Sequence, residues 1–253
     1  MDFSGKNVLI TGGSRGIGRA IAKAFADHGA QVAVNFRSDS QSARETCEEM
    51  KGSGHFAVKA DVSKAESVRR MMTAVINEFG TLHIVVNNAG IFEPHPIDKI
   101  DYKGWIEAWD KTMKVNLNGP ANVCYWAAHY MKGQGLGGRI INISSRGAFR
   151  GEPDHPAYGA SKAALNAMSQ SLAQKLAPYR IAVSVVAPGF VMTDMTEDIL
   201  RGEKGEDIRA QSPLDRVARP EEIAQAVLYL ATPEAEYASG AIIDVNGASY
   251  LRS

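Results

Sequence analysis

Short runs of apolar, mostly β-branched residues alternate with amphipathic stretches from one end of the 253-residue chain to the other, and few architectures satisfy that order. Val8-Leu9-Ile10, Val32-Ala33-Val34, Phe56-Ala57-Val58, Ile84-Val85-Val86, Ile140-Ile141-Asn142-Ile143, Ile181 to Val186 and Ala241-Ile242-Ile243 read as strands. Between them, Ile17, Ala20, Ile21, Ala24 and Phe25 recur at helical spacing, as do Val68, Met71, Met72, Val75 and Ile76, and a polar helix is expected from about Ser40 to Met50. Strands that are apolar throughout suit a sheet covered on both faces. Helical connections between them imply right-handed parallel crossovers. The expected fold is α/β: a single domain over residues 1–253, with a doubly wound parallel sheet of about seven strands and helices on both faces. The stretch from Pro188 to Pro220, rich in charge, Met and Gly, breaks the alternation and is expected to form a substrate lid near residues 190–214.

Composition narrows the function. Charged residues balance, with 28 Lys and Arg against 28 Asp and Glu, which gives no field to favour nucleic acid or an anionic membrane. The longest apolar candidate, Ala121 to Met131, is broken by Asn122 and His129 and falls short of a membrane span. With no basic and apolar leader at Met1-Asp2-Phe3-Ser4-Gly5, a cytoplasmic protein is expected. Cys47 and Cys124 match no zinc spacing and read as two buried thiols. His28, His55, His83, His95, His129 and His155 are scattered, so no catalytic metal is expected. Trp105, Trp109, Tyr125 and Trp126 read as helix-packing aromatics.

Thr11-Gly12-Gly13-Ser14-Arg15-Gly16-Ile17-Gly18 follows the first strand and opens the first helix. Glycines let backbone approach a pyrophosphate, and a helix N-terminus offers free N–H groups and the positive end of its dipole. Gly12, Gly16 and Gly18 give G-x-x-x-G-x-G, a departure from the G-x-G-x-x-G fingerprint. At the end of the second strand a carboxylate selects a ribose 2′-hydroxyl and an arginine a 2′-phosphate. Here the chain reads Val34-Asn35-Phe36-Arg37-Ser38, with no carboxylate before Asp39, so Arg37 and Arg15 are expected to clamp a 2′-phosphate and the cofactor to be NADP(H).

Tyr158-Gly159-Ala160-Ser161-Lys162 begins a helix expected to run to about Ala177, with Tyr158 and Lys162 one turn apart on one face. A cation there stabilises tyrosinate and is expected to draw the phenol pKa toward neutrality, making Tyr158 a general acid or base. Ser145 lacks a Gly-x-Ser-x-Gly elbow, which argues against hydrolase chemistry.

Taken in order, the glycine motif, Asp61-Val62, Asn87-Asn88-Ala89-Gly90, Asn116, Ser144-Ser145, Tyr158-x-x-x-Lys162 and Pro188-Gly189 resemble the short-chain dehydrogenase/reductase family over essentially the whole chain. The resemblance implies a Rossmann-type fold and a hydride transfer between the nicotinamide and a carbonyl or alcohol. It makes Tyr158 the proton donor or acceptor, Lys162 its pKa-lowering neighbour, Ser145 the hydroxyl that polarises the carbonyl, and Asn116 the support of a water-linked proton relay. It places Gly12, Ser14, Arg15, Gly16, Ile17, Gly18 and Arg37 on the cofactor. Asp61 would face the adenine, Val62 would also touch the cofactor, and Asn88, Ala89 and Gly90 would line the adenosine side. Pro188, Gly189, Val191 and Thr193, with Tyr158 and Lys162, would hold the nicotinamide end.

Within the family the chain is similar to the 3-oxoacyl-[acyl-carrier-protein] reductase branch, which implies a 3-oxoacyl thioester as substrate and an acyl carrier protein as a possible partner. The two places where that branch carries basic docking residues read here Lys132-Gly133-Gln134-Gly135-Leu136-Gly137 and Tyr179-Arg180; Arg146 and Arg150 are candidate substitutes. A sugar or polyol dehydrogenase, and a non-catalytic dinucleotide-binding regulator, remain as alternatives. The resemblance also implies a homotetramer, for which the face of Ile223, Ala226, Val227 and Leu230 is compatible. Substrate loops at Ile91 to Ile97, Arg146 to His155 and Phe190 to Leu214 would offer Phe92, Phe149, Phe190, Met192, Met195, Ile199 and Leu200 to an apolar pocket.

Overall fold

The computed structural model describes residues 1–252 except Met195, Lys204 and the side chain of Ile199. Each apolar run expected as a strand is one: β1 (Asn7–Thr11), β2 (Gln31–Phe36), β3 (Phe56–Lys59), β4 (Ile84–Asn87), β5 (Gly138–Ile143), β6 (Ile181–Pro188) and β7 (Ile242–Val245). They form one parallel sheet in the order β3-β2-β1-β4-β5-β6-β7. The order reverses between β1 and β4, where Leu9 pairs with Val85 and Thr11 with Asn87. In an open α/β sheet that reversal leaves a crevice at the carboxyl ends of the strands, which is where ligands bind.

Helices α1 (Gly16–Asp27), α2 (Ser40–Glu49), α3 (Ala65–Phe79), α4 (Tyr102–Met113), α5 (Gly119–Gln134), α6 (Gly147–Arg150), α7 (Pro156–Leu176), α8 (Glu197–Arg201), α9 (Gly205–Ala210) and α10 (Pro220–Ala231) complete the main elements. The sheet pleat divides the core in two. Val8 and Ile10 point to a cluster with Ile21 and Phe25 of α1 and Ile223, Val227 and Leu228 of α10. Leu9 between them points to Val68, Met71 and Val75 of α3 and Val123 and Ala127 of α5. Successive β residues face opposite ways, so a fully apolar strand is required to feed both layers.

Some expectations change. Helix α7 starts two residues ahead of Tyr158, because Pro156 suits a first helical turn, where no N–H is needed. Lys114–Asn118 is a π-helical turn between α4 and α5, a feature with no signature in apolar spacing. Ile223, Val227 and Leu230 are buried by core packing inside the chain, and Ala226 is half-buried against the same cluster. Cys124 is buried but Cys47 only half-buried, and both thiols are pushed up by burial, Cys124 to about 12. The aromatic group splits into two pairs, Trp105 with Trp109 on α4 and Tyr125 with Trp126 on α5. Among the described residues, no helix is long and apolar enough to cross a membrane, and no group of His, Cys, Asp or Glu is placed to hold a metal ion.

Candidate active site

The crevice above β1 and β4 is lined from Arg37 and Asp61 at one end to Ser145, Tyr158 and Phe190 at the other. Its floor is the turn between β1 and α1. Gly12 and Gly16 lie at φ +62 and +52, conformations other residues rarely adopt. A Cβ on Gly18 would sit 2.2 Å from the Gly12 carbonyl oxygen and 2.6 Å from Asn88 Nδ2. The backbone is therefore laid bare at the start of α1, whose first turn holds no acidic residue to neutralise the helix dipole. A bare backbone cradle at an uncompensated helix N-terminus fits a pyrophosphate.

Polar side chains, two of them buried, brace that turn. Asn35 Oδ1 accepts from the Gly12 N–H at 3.2 Å, while its Nδ2 donates to the carbonyls of Val58 and Ala60, both at 3.2 Å. Asn88 Nδ2 donates to the carbonyls of Thr11 and Gly12 at 3.1 and 3.0 Å. Thr11 Oγ1 accepts from the N–H groups of Asn88 and Ala89 at 3.0 and 3.1 Å. Asn88 thus lines the crevice, but its side chain is committed to the turn. The sequence reading missed Asn35 and Thr11 in this role; their signal was a polar residue at or next to the carboxyl end of each of two strands with apolar centres.

At the far end Arg15 and Arg37 are exposed, and among the described residues neither makes an ion pair, whereas Arg19 is held by Glu49. Asp39, the first carboxylate after β2, is occupied as the N-cap of α2, accepting from Ser42 N–H at 3.0 Å and Ser42 Oγ at 2.6 Å. Asp61 accepts from the Ser63 N–H and hydroxyl at 3.0 and 2.6 Å. Burial pulls the Asp61 carboxyl up, but those bonds, with Lys64 and Arg37 nearby, outweigh it and hold it below its ordinary value.

At the reacting end α7 presents Tyr158 and Lys162. Burial pushes the phenol up to about 12; a hydrogen bond with Ser145 works against this and Glu152 adds to it. The expected fall toward neutrality is therefore corrected. Lys162 Nζ stands 5.6 Å from the ring centroid and donates to the Ile143 carbonyl at 2.8 Å. Burial also lowers its ammonium to about 8, so two desolvated groups face each other and neither fully supports the charge of the other. Ser145 Oγ accepts from the Gly147 N–H at 3.0 Å, which fixes the hydroxyl beside Tyr158. Asn116, fully buried in the π-helical turn, accepts from the Ile91 N–H at 2.9 Å and donates to the Ile91 carbonyl at 3.0 Å and Ser161 Oγ at 3.3 Å. Gly90 passes between Asn116 and Lys162: a Cβ there would lie 3.4 Å from Asn116 Oδ1 and 3.6 Å from Lys162 Nζ.

Apart from Gly18 and Asn116, which stand behind the wall, every expected catalytic and cofactor residue lines this one crevice, including Ser14, Ile17, Val62, Pro188, Gly189, Val191 and Thr193. Thr193 lies over the turn, its methyl 3.2 Å from a Cβ built on Gly16, and Val191 bridges to Ala218. Part of the expected apolar pocket is present. Phe92 and Phe190 line the crevice, but Phe149 turns its face to Arg252, Met192 is exposed and Leu200 is buried elsewhere. Met195 and the side chain of Ile199 lie outside the described residues. Arg146 and Glu152 line the same end of the crevice as Phe92 and Phe190. Arg146 is buried, bonds to Gln211 and faces the Phe190 ring 5.0 Å away. Burial and the neighbouring Arg150 lower its guanidinium to about 10. His155, expected as a loop residue, stacks on Phe92 with ring centroids 3.7 Å apart.

A family model described as enoyl-(acyl carrier protein) reductase matches residues 12–248. The 3-oxoacyl-[acyl-carrier-protein] reductase FabG of Staphylococcus aureus is 39% identical over 248 residues, covering 97% of this chain and 98% of that protein. The FabG of Chlamydia muridarum is 37% identical over 245 residues, covering 96% of each. Among solved structures, a short-chain type dehydrogenase/reductase from Mycobacterium marinum superposes with a TM-score of 0.91 at 34% identity, covering 99% of this chain and 98% of that one.

Proposed function

The chain belongs to the short-chain dehydrogenase/reductase family, and on that premise we propose that it is an NADPH-dependent reductase of 3-oxoacyl thioesters or closely related ketones. The observation that carries the reaction is the convergence of Tyr158, Lys162 and Ser145 on one end of a crevice whose floor is a bare glycine turn. NADP(H) rather than NAD(H) is supported by two arginines free of ion pairs among the described residues and by the engagement of Asp39 as a helix cap, which turns the first carboxylate after β2 to Ser42.

Bound there, the dinucleotide supplies or takes up the hydride. The residues of the chain do the rest. Ser145 and Tyr158 place two hydroxyls on one side of the crevice, where they meet charge developing on the substrate oxygen. Tyr158, neutral at physiological pH with its pKa near 12, holds the proton that the oxygen takes in reduction. Lys162 stands next to the phenol as the proton reservoir, with an ammonium already lowered to about 8. Asn116 fixes the Ile91 backbone and the Ser161 hydroxyl, which in turn donates to the Tyr158 carbonyl at 2.7 Å.

One observation favours a second reading. Arg146 and Glu152 line the substrate end, which suits a polar sugar or polyol better than a long acyl chain. Initial rates with NADPH and NADH on acetoacetyl-CoA, a longer 3-oxoacyl thioester, diketones and, in reverse, simple sugars separate the two. Thioester turnover with NADPH, reduced about a thousandfold in Tyr158→Phe, is the expected outcome. Sugar oxidation would move the assignment to the second reading, and efficient use of NADH would overturn the cofactor assignment.

A further inference from the structure

Helix α7 carries Tyr158 and Lys162, so whatever fixes its first turn fixes the reacting hydroxyl. Its N-cap residue, His155, makes no side-chain cap, and Pro156 has no N–H. The first donor of the helix is the Ala157 N–H, and it is taken from outside: it donates to Nε2 of His95 at 3.0 Å. Nδ1 of the same ring lies 2.8 Å from the Glu93 carbonyl oxygen, and the His95 N–H donates to the Asp154 carbonyl at 2.8 Å. A nitrogen that accepts carries no proton, so Nδ1–H donates to Glu93 and the ring is neutral. His95 is wholly buried between two prolines and edges against Trp105 at 5.9 Å. The same loop sets Phe92 edge-on to the Tyr158 ring, 4.7 Å between centroids.

The chemistry of this cap differs from others in the same protein. Asp39 caps α2, and Asp101 caps α4 by accepting from the Gly104 N–H at 2.8 Å. A carboxylate neutralises the positive end of a helix; a neutral imidazole satisfies the N–H and leaves the dipole in place. At α7 that end stands one residue from Tyr158, where it favours tyrosinate. Asp154 stands at the same turn yet gives only its backbone carbonyl to His95.

We propose that His95 is a positioning residue for proton transfer, a remote neutral cap that orders the first turn of α7 and keeps the positive end of that helix uncompensated beside Tyr158. The inference rests on the reading of Tyr158 as the acid–base group. The groups facing the phenol are Lys162 from α7, Ser145 and Glu152, the last also raising its pKa. Those around His95 are Glu93, paired with Lys111 of α4 at 2.6 Å, Asp154 and His155.

The test uses three full-length variants with NADP(H) and whichever ketone is turned over. His95→Gln puts a neutral acceptor near the Nε2 position, His95→Glu an isosteric carboxylate, and His95→Leu no acceptor. His95→Gln should keep kcat within about twofold and leave the pH profile in place. His95→Glu should move the apparent pKa of the phenol-dependent limb up by about half a unit, the size of a helix-dipole effect. His95→Leu should lower kcat about tenfold with little change in KM, and the Ala157 amide should exchange with solvent at least tenfold faster by NMR. Coincident profiles for Gln and Glu, or a wild-type kcat in Leu, would overturn the proposal. Should the Glu variant fail to fold, rescue of kcat and of amide protection by Gln but not Leu decides. Retained activity in Tyr158→Phe would instead sink the acid–base reading itself, whatever the His95 variants do.

Discussion

The floor and the roof of the crevice are built on opposite principles. The floor, from Thr11 to Gly18, is specified by backbone: two glycines at positive φ, a third with no room for a Cβ, and three polar side chains, Asn35, Asn88 and Thr11, whose hydrogen bonds go to main-chain atoms. The roof, between Phe190 and Ala218, has one main-chain bridge and is otherwise held by side chains. It carries two short helices, α8 and α9, and is tied down by the Arg146–Gln211 bond, the Val191–Ala218 bridge and the bond from Ser212 Oγ to the Gly247 carbonyl at 2.6 Å. A backbone site suits a ligand that never changes, because no single side-chain replacement re-aims it. Side-chain ties can be exchanged one at a time, which is how one scaffold serves different substrates.

The contrast predicts unequal responses to mutation. The largest is expected on the floor: Gly18→Ala should weaken NADPH binding at least tenfold, measured by fluorescence titration, and lower Tm, since the added methyl meets backbone rather than a yielding side chain. Normal NADPH affinity in this variant would break the comparison outright. Next, Arg37→Gln should raise KM for NADPH about tenfold and leave that for NADH nearly unchanged, because the loss is of a charge-assisted contact to one phosphate.

Lys162→Met tests the wall between floor and roof. The ammonium is lowered by burial from 10.5 to about 8, so between those values the unfolded chain binds more protons and stability rises with pH. Below about pH 8 the buried charge is a full cost. The variant, though inactive, should therefore melt a few degrees above wild type at pH 7, a gain that narrows as pH rises toward 10. Tyr158 adds the opposite slope above pH 10, where the unfolded chain ionises first. The smallest effect is expected on the roof: Gln211→Ala should change substrate KM a few-fold and leave NADPH affinity alone, which sharpens the comparison. A tenfold loss of NADPH binding would show that the roof serves the cofactor as well.

The same division explains what the sequence disclosed. The strands were legible because a doubly covered sheet needs unbroken apolar runs, and Gly12, Gly16 and Gly18 because only glycine fits their backbone. Tyr158 and Lys162 were legible because helical spacing puts them on one face. His95 and Asn35 were not, since each acts across a long stretch of chain: His95 reaches Ala157 and Asn35 reaches Gly12 through contacts that exist only once the sheet is assembled. The upward pKa of Tyr158 was misjudged for a related reason. Spacing shows that a lysine is near, but not that both groups have lost their water.

The strand order has one more consequence. β1 is the first strand made and the innermost in its half of the sheet, and its partner β4 lies more than seventy residues away. Until Ile84 to Asn87 has left the ribosome, β1 has no neighbour on that side, and the crevice between them has no second wall. Pairings this distant close slowly, and an apolar strand that waits is open to the wrong neighbour. The feature that places the crevice at the centre of the sheet thus also makes it a late feature of biosynthesis, complete only when β5, α7 and the roof have followed. A nascent chain stalled in its first third would expose an apolar edge and hold half a binding site.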